Sequence, residues 1–240
     1  SNKLKLELNG EPTDSSSLYI PTSDSRVTGT ADFIVFRKYG KEMKAETEIK
    51  DLSSLNVELN VIANPFAKVY LILDELTNDI IEGQGTGAIN LRVGTNEKTT
   101  INGNFQITKG RYNFNWQSLF KKPFLINSGS IQWTGDPYNA RIDIDAAYLV
   151  ENVALLPELT TGCSNERYNL SVISKLKGSL NNPLITFRFE LPQGHPCRNN
   201  PVTINGLNQL YNNPDELNRQ VFSLLLLGSF NSSASGVQSN

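Results

Sequence analysis

Strict alternation of apolar and polar residues recurs along this chain and limits its fold more than any other feature. Met43, Ala45, Thr47 and Ile49 alternate with Lys44, Glu46, Glu48 and Lys50. Leu55, Val57, Leu59 and Val61 alternate with Asn56, Glu58 and Asn60, and Ile101, Gly103, Phe105 and Ile107 with Asn102, Asn104 and Gln106. Tyr112, Phe114 and Trp116, then Ile142, Ile144, Ala146 and Tyr148, then Phe187, Phe189 and Leu191 repeat the pattern. Each run has one apolar and one wet face, the habit of strands in an antiparallel sheet. All candidates together make roughly thirteen strands, which ~4.8 Å apart give a sheet on the order of 60 Å long. A sheet of that length does not stay flat and open; it twists, folds over or closes.

Glycines point to folding over. They cluster at Gly83, Gly85 and Gly87 and recur at Gly29 and Gly103, and glycine inside a strand marks a bend or bulge. A sheet bent along its middle brings its two apolar halves face to face. Asn64-Pro65, Asp136-Pro137 and Asn182-Pro183 each precede a strand rich in branched or aromatic residues, which reads as a weak repeat of one strand–turn–strand unit. One helix is expected, over residues 213–228. Asn213 caps it, Pro214 fits its first turn, Glu216 has capping-box spacing, and Gly228 ends it. Leu217, Val221, Leu224 and Leu225 share one face, so the helix reads as a cover for one end of the sheet. The chain thus divides into a sheet over 1–212, a helix over 213–228 and a polar tail over 229–240. Ser1-Asn2 reads as a cloning remnant, and the chain as a piece of something longer.

Charge is close to balanced, with Lys+Arg 22 against Asp+Glu 24, so the basic footprint of a nucleic-acid binder is absent. Apolar residues are only 38% of the chain, low for a compact globule; much of the surface faces water. Chemistry is sparse. His195 is the single histidine and lies in a Pro-flanked loop with Cys197, an arrangement short of the ligand count of a zinc site and of the placement a nucleophile–base pair needs. Asp143 and Asp145 occupy the wet face opposite Ile142 and Ile144. Gly83-Gln84-Gly85-Thr86-Gly87 lacks the spacing and following helix of a nucleotide loop. These residues argue against an enzyme, a cofactor or a metal.

Cys163 and Cys197 would be ordinary thiols in a reducing compartment. With Tyr168–Leu180 running out, Leu184–Leu191 returning and Asn181-Asn182-Pro183 as the turn, both cysteines flank one end of a hairpin, within disulfide reach. A bond there would imply an oxidising compartment.

One stretch carries a specific resemblance. Asn102-Gly103-Asn104-Phe105 and Lys109-Gly110-Arg111-Tyr112-Asn113-Phe114 lead through Phe124-Leu125-Ile126 to Gly129-Ser130-Ile131-Gln132-Trp133-Thr134-Gly135-Asp136-Pro137-Tyr138-Asn139-Ala140 and then Ile142–Tyr148. This resembles the C-terminal domain of TamB, the translocation and assembly module subunit of Gram-negative bacteria, in the AsmA-like group. The likeness is strongest over 100–230, including Arg219–Gly228. It implies an all-β fold, a long antiparallel or mixed sheet folded lengthwise into a β-taco around an apolar groove. It also implies a periplasmic location, in a protein anchored to the inner membrane and working with a BamA-family barrel protein of the outer membrane. The groove is then expected to be lined by Phe33, Val35, Val57, Leu59, Val69, Leu71, Phe105, Ile107, Tyr112, Phe114, Trp116, Ile142, Ile144, Tyr148, Phe187 and Phe189. It would hold either phospholipid, passing between the membranes, or nascent outer-membrane β-strands. A surface β-sandwich for adhesion or glycan binding is a third use of the same residues, outside the resemblance.

Overall fold

Long alternating runs fold as long strands in a computed structural model that describes residues 3–13, 16–21, 37–38, 41–42, 54–74, 79–94, 97–116, 120–164 and 166–232. The strands are β1 (Lys3–Gly10), β2 (Ser17–Pro21), β3 (Arg37–Lys38), β4 (Lys41–Glu42), β5 (Ser54–Ala63) and β6 (Lys68–Asp74). They continue as β7 (Asp79–Gly94), β8 (Glu97–Trp116), β9 (Phe120–Gly135), β10 (Arg141–Val153), β11 (Tyr168–Ser179) and β12 (Asn182–Glu190). Two helices follow, α1 (Pro201–Tyr211) and α2 (Pro214–Leu227). Ile101–Ile107 and Tyr112–Trp116, separate runs in the sequence, are one strand, because the irregularity between them is a bulge and not a turn.

Ten strands form one sheet in the order β1-β5-β7-β8-β9-β10-β11-β12, with β6 beside β7 and β2 beside β6. The pairings from β5 onward are antiparallel, whereas β1 on β5 and β2 on β6 are parallel, so the sheet is mixed. β5 and β6 are two halves of one course along β7, separated by the turn at Asn64–Ala67.

A crease crosses the sheet. Between β7 and β8, Gln84 faces Lys109 but Gly85 faces Ile107, leaving Thr108 as an extra residue. Between β9 and β10, Asp145 faces Ser128 but Ala146 faces Ile126, leaving Asn127 extra. Together with the β5–β6 break, these irregularities line up across neighbouring strands, and each one bends its strand and raises its twist. Close packing at the crease requires glycine: a side chain on Gly85 would land on the Gln106 carbonyl. Gly103 has φ +136, in the region that side chains rarely tolerate.

Two of the three Asn/Asp-Pro pairs make the same turn. Asn64 Oδ1 accepts the Phe66 amide at 3.0 Å, and Asp136 Oδ1 accepts the Tyr138 amide at 3.0 Å. Asn182-Pro183 differs and corrects the hairpin reading. It lies inside β12, Ser179 faces Asn182, and the turn is Leu180-Asn181.

The expected helix is α2. Asn213 Oδ1 accepts the Glu216 amide at 3.2 Å, and Gly228 ends the helix at φ 71. The capping box is one-sided: the Asn213 amide goes to the Leu210 carbonyl, and the Glu216 carboxylate takes Gln220 Nε2 at 2.7 Å and an ion pair with Arg219. α1 is a second helix inside the segment expected to be sheet. Asn200 caps it and Pro201 opens it, but Val202, Thr203, Ile204 and Gly206 mask it as a helix former. Gly206 makes room for Leu159, whose side chain a Cβ there would strike. The region expected as a polar tail starts with a docked segment: Phe230 is buried, and Asn231 exchanges hydrogen bonds with Gln220.

Candidate functional site

The inner face of the folded sheet is the feature that the sequence pattern spends most residues building. Residues that face each other in register share a face, so the inner side can be followed strand by strand. One row runs Leu8, Leu59, Leu91, Ile101. A second runs Ala63, Gly87, Phe105, Ile131, Ile142. A third, beyond the crease, runs Val69, Gly83, Gly110, Ile126, Ala146, Ser174, Phe187. Small residues gather where the face is most concave. Gly83 and Gly129 leave holes that Ile107 and Ile144 fill, since a Cβ at either would sit 3.0–3.2 Å from those side chains.

Burial along these rows is graded. Leu8 is 38% exposed, Leu59 half-buried, Leu91 5% exposed and Ile101 1%. The inner face is open at β1 and closed from β8 to β12. Aromatics complete the closure. Phe114 meets Phe124 at 5.6 Å and Phe187 at 5.5 Å, and Phe124 meets Tyr148 at 5.6 Å. Lys122 places its ammonium 5.5 Å from the centre of the Tyr148 ring, a cation–π contact at the rim of this cluster.

The residues expected to line the groove fall as follows. Val69, Leu71, Phe105, Ile107, Tyr112, Phe114, Ile142, Ile144, Phe187 and Phe189 are buried, and Val57, Leu59 and Tyr148 are half-buried. Phe33 and Val35 lie outside the described residues, as does the side chain of Trp116. Phe105 and Ile144 are fully enclosed, so in this part of the chain the lining is a packed core and not the wall of an open channel. Other inner-face residues were not singled out from the sequence: Phe124, Ile126, Ile131, Trp133, Val172 and Leu176 are buried as well. The alternation Ile131, Trp133 was legible; β11 was obscured by Ser174, a polar residue on the inner side.

The outer face carries the charge. Glu58 takes a hydrogen bond from Asn90 Nδ2 at 2.9 Å, an ion pair from Lys5 at 3.0 Å and one from Arg92 at 2.9 Å. These partners, Asn90 foremost, bring its carboxyl down to about 2. Asn90 also donates to Asn60 at 2.6 Å and Asn60 to Asn9 at 3.0 Å, a ladder of amides across three strands. Asp143 and Asp145 stand on this wet face, bridged by Lys175 at 3.5 and 3.2 Å, with Lys177 on Asp143 at 3.3 Å. The hydrogen bond to Asp145 is the main cause raising the Lys175 ammonium.

At the β12 end, α1 is fixed to the loop before β11. Cys163 and Cys197 form a disulfide with Cα atoms 5.3 Å apart. Asn200 donates to the Thr161 carbonyl at 3.2 Å, and Thr203 Oγ1 donates to the Leu159 carbonyl at 2.5 Å. His195 is buried beside the disulfide, where its Nδ1 accepts the Cys197 amide at 3.0 Å and its ring packs 4.5 Å from Tyr168. Burial pulls its pKa down; its geometry is that of a loop organiser. Among the described residues no group of three His, Cys, Asp or Glu could hold a metal, and no helix is long and apolar enough to cross a membrane.

No curated protein matches the chain. A family model described as the TamB C-terminal domain matches residues 1–240. With a creased, curled sheet whose apolar face is buried from β8 to β12, the match over residues 1–240 makes the chain a member of the TamB C-terminal domain family.

Proposed function

We propose that this chain is part of a bridge across the periplasm whose inner face conducts phospholipid acyl chains between the inner and outer membranes. Membership of the TamB C-terminal domain family supports a role in outer-membrane assembly or lipid transport. On this reading the whole protein is anchored at the inner membrane and meets a BamA-family barrel protein in the outer membrane. The observation that carries the reading is the graded row Leu8, Leu59, Leu91, Ile101, an apolar strip that starts accessible and passes without interruption into the enclosed interior. An acyl chain laid on such a strip gains ~0.8 kcal/mol per buried methylene. Leu8 and Leu59, on neighbouring strands, offer similar apolar contacts at the accessible end, so a chain moves between them without falling into one deep site. Heads stay in water at the rim.

Photo-crosslinking in cells tests this, with the probe at Leu8 and Leu59 and controls at the outward Asn9 and Asn60. Phospholipid adducts confined to the two leucines are expected. Adducts to outer-membrane protein chains at the same positions would replace lipid passage with a scaffold role; equal labelling at all four would end the reading.

A further inference from the structure

β12 is the last strand of the sheet, and among the described residues side-chain hydrogen bonds reach its outer edge at Phe189. Tyr211, at the end of α1, places its hydroxyl between the two backbone groups of Phe189, accepting the amide at 3.0 Å and donating to the carbonyl at 3.2 Å. Both Phe189 groups therefore point away from β11. Outward and inward groups alternate along an antiparallel strand, so Ile185 and Phe187 present theirs outward too. Pro183 has the same parity and brings no amide, as prolines on edge strands do. The window Leu184–Arg188 is thus bounded by a proline at one end and a tyrosine clamp at the other. Its pairing with β11 is regular, without a bulge, and its outer side carries Leu184 at 67% exposure. Long regular edges invite strand addition unless they are blunted.

We infer that the Leu184–Arg188 edge of β12 accepts a short extended segment of a partner protein, with alternating apolar residues and a carboxylate placed beside Arg188. The inference does not rest on lipid passage through the interior. Backbone pairing to Ile185 and Phe187 supplies the ladder, the incoming apolar residues extend the inner face beside those two side chains, and the acidic residue supplies selectivity. Charge complementarity sets that last choice. Arg188 is exposed and takes no part in the ion pairs of the described residues, whereas neighbouring Lys175 is held by Asp145 and Asp143. A cleft of about 280 Å³ opens beside Arg188, Thr186 and Tyr211, and the carboxylate that lines it, Asp145, is already paired with Lys175. A second copy of this chain fits worse. A symmetric antiparallel pairing that uses both Ile185 and Phe187 brings the copy's Pro183 against Phe189, where Tyr211 stands.

The probe is a short blocked peptide of alternating valine and threonine with one glutamate, added to the full chain, with amide exchange followed by NMR. Slowed exchange at Ile185 and Phe187 is expected. N-methylation of the peptide's alternate amides, which leaves the protein untouched, should abolish it. Lysine in place of the glutamate should weaken binding by about threefold, and Arg188→Glu should reverse that preference. Tyr211→Phe removes one hydroxyl; it should tighten binding and bring the Phe189 amide into the protected set. Equal binding of the N-methylated peptide, or no protection at these amides, overturns the inference. Protection that grows with protein concentration and no peptide assigns the edge to a second copy and overturns it too.

Discussion

The rings of Phe114 and Phe187 meet edge to face with centroids 5.5 Å apart, although β9, β10 and β11 lie between their strands in the sheet. In a flat sheet four strand spacings would separate them by ~19 Å. Their contact therefore measures how far the sheet has curled, and it closes the interior at the β12 end.

That contact should couple the two residues energetically. Phe114→Ala or Phe187→Ala alone should each destabilise by about 3 kcal/mol, the usual loss for a buried aromatic. The double variant should fall short of additivity by ~1 kcal/mol, the range for an edge-to-face pair. Urea unfolding of the four proteins measures this; strict additivity would mean that the curl is held elsewhere.

The graded inner face separates two kinds of aspartate variant. Phe105 is 0% exposed, and a carboxylate forced there costs several kcal/mol, enough to unfold a domain of ordinary stability. Leu59 is half-buried near the open end, so Leu59→Asp should stay folded, at a cost of ~1–2 kcal/mol, while lipid adducts from a probe at Leu8 disappear. Circular dichroism distinguishes the two. A folded Phe105→Asp would show that the interior there is wetter than its packing indicates.

The disulfide closes a loop with sequence separation 34, for which chain entropy predicts ~4 kcal/mol. Cys163→Ala with Cys197→Ala should lower the unfolding midpoint accordingly. Because α1 is otherwise held by Asn200 to Thr161 and Thr203 to Leu159, its amides should exchange faster before those of β8 and β9 do. Uniform acceleration across the chain would mean that the helices and sheet unfold as one unit.

Glu58 makes stability fall on the acid side. Its folded pKa is about 2 against an ordinary 4.5, through Asn90, Lys5 and Arg92. A depressed carboxyl contributes stability that is present above its unfolded pKa and lost as pH falls through the folded one. The urea midpoint should therefore drop between pH 4.5 and about 2, and Glu58→Gln should flatten that part of the profile. An unchanged profile would place the acid sensitivity in other carboxylates.

The alternating runs made β5, β8, β10 and β12 legible because a strand repeats every two residues and burial on one face demands matching polarity. Asn213, Pro214 and Gly228 likewise marked α2 locally. α1 stayed hidden because its stability comes from Leu159 settling against Gly206 and from the Cys197 staple, contacts made by residues distant in the chain. The turn at Leu180-Asn181 was misplaced because Asn182-Pro183 is a strong turn signal, and only an edge strand lets proline enter a ladder.

Sequence alone determined which side of β5, β8, β10 and β12 is apolar and that the sheet bends near Gly83, Gly85 and Gly87. Those are local properties of side-chain period and glycine placement. How far the sheet curls was decided by tertiary structure, because it depends on bulges at Thr108 and Asn127 adding up across neighbours until Phe114 reaches Phe187. The same summation decided that the apolar face is accessible at Leu8 and sealed at Phe105, a difference between residues whose local patterns are alike.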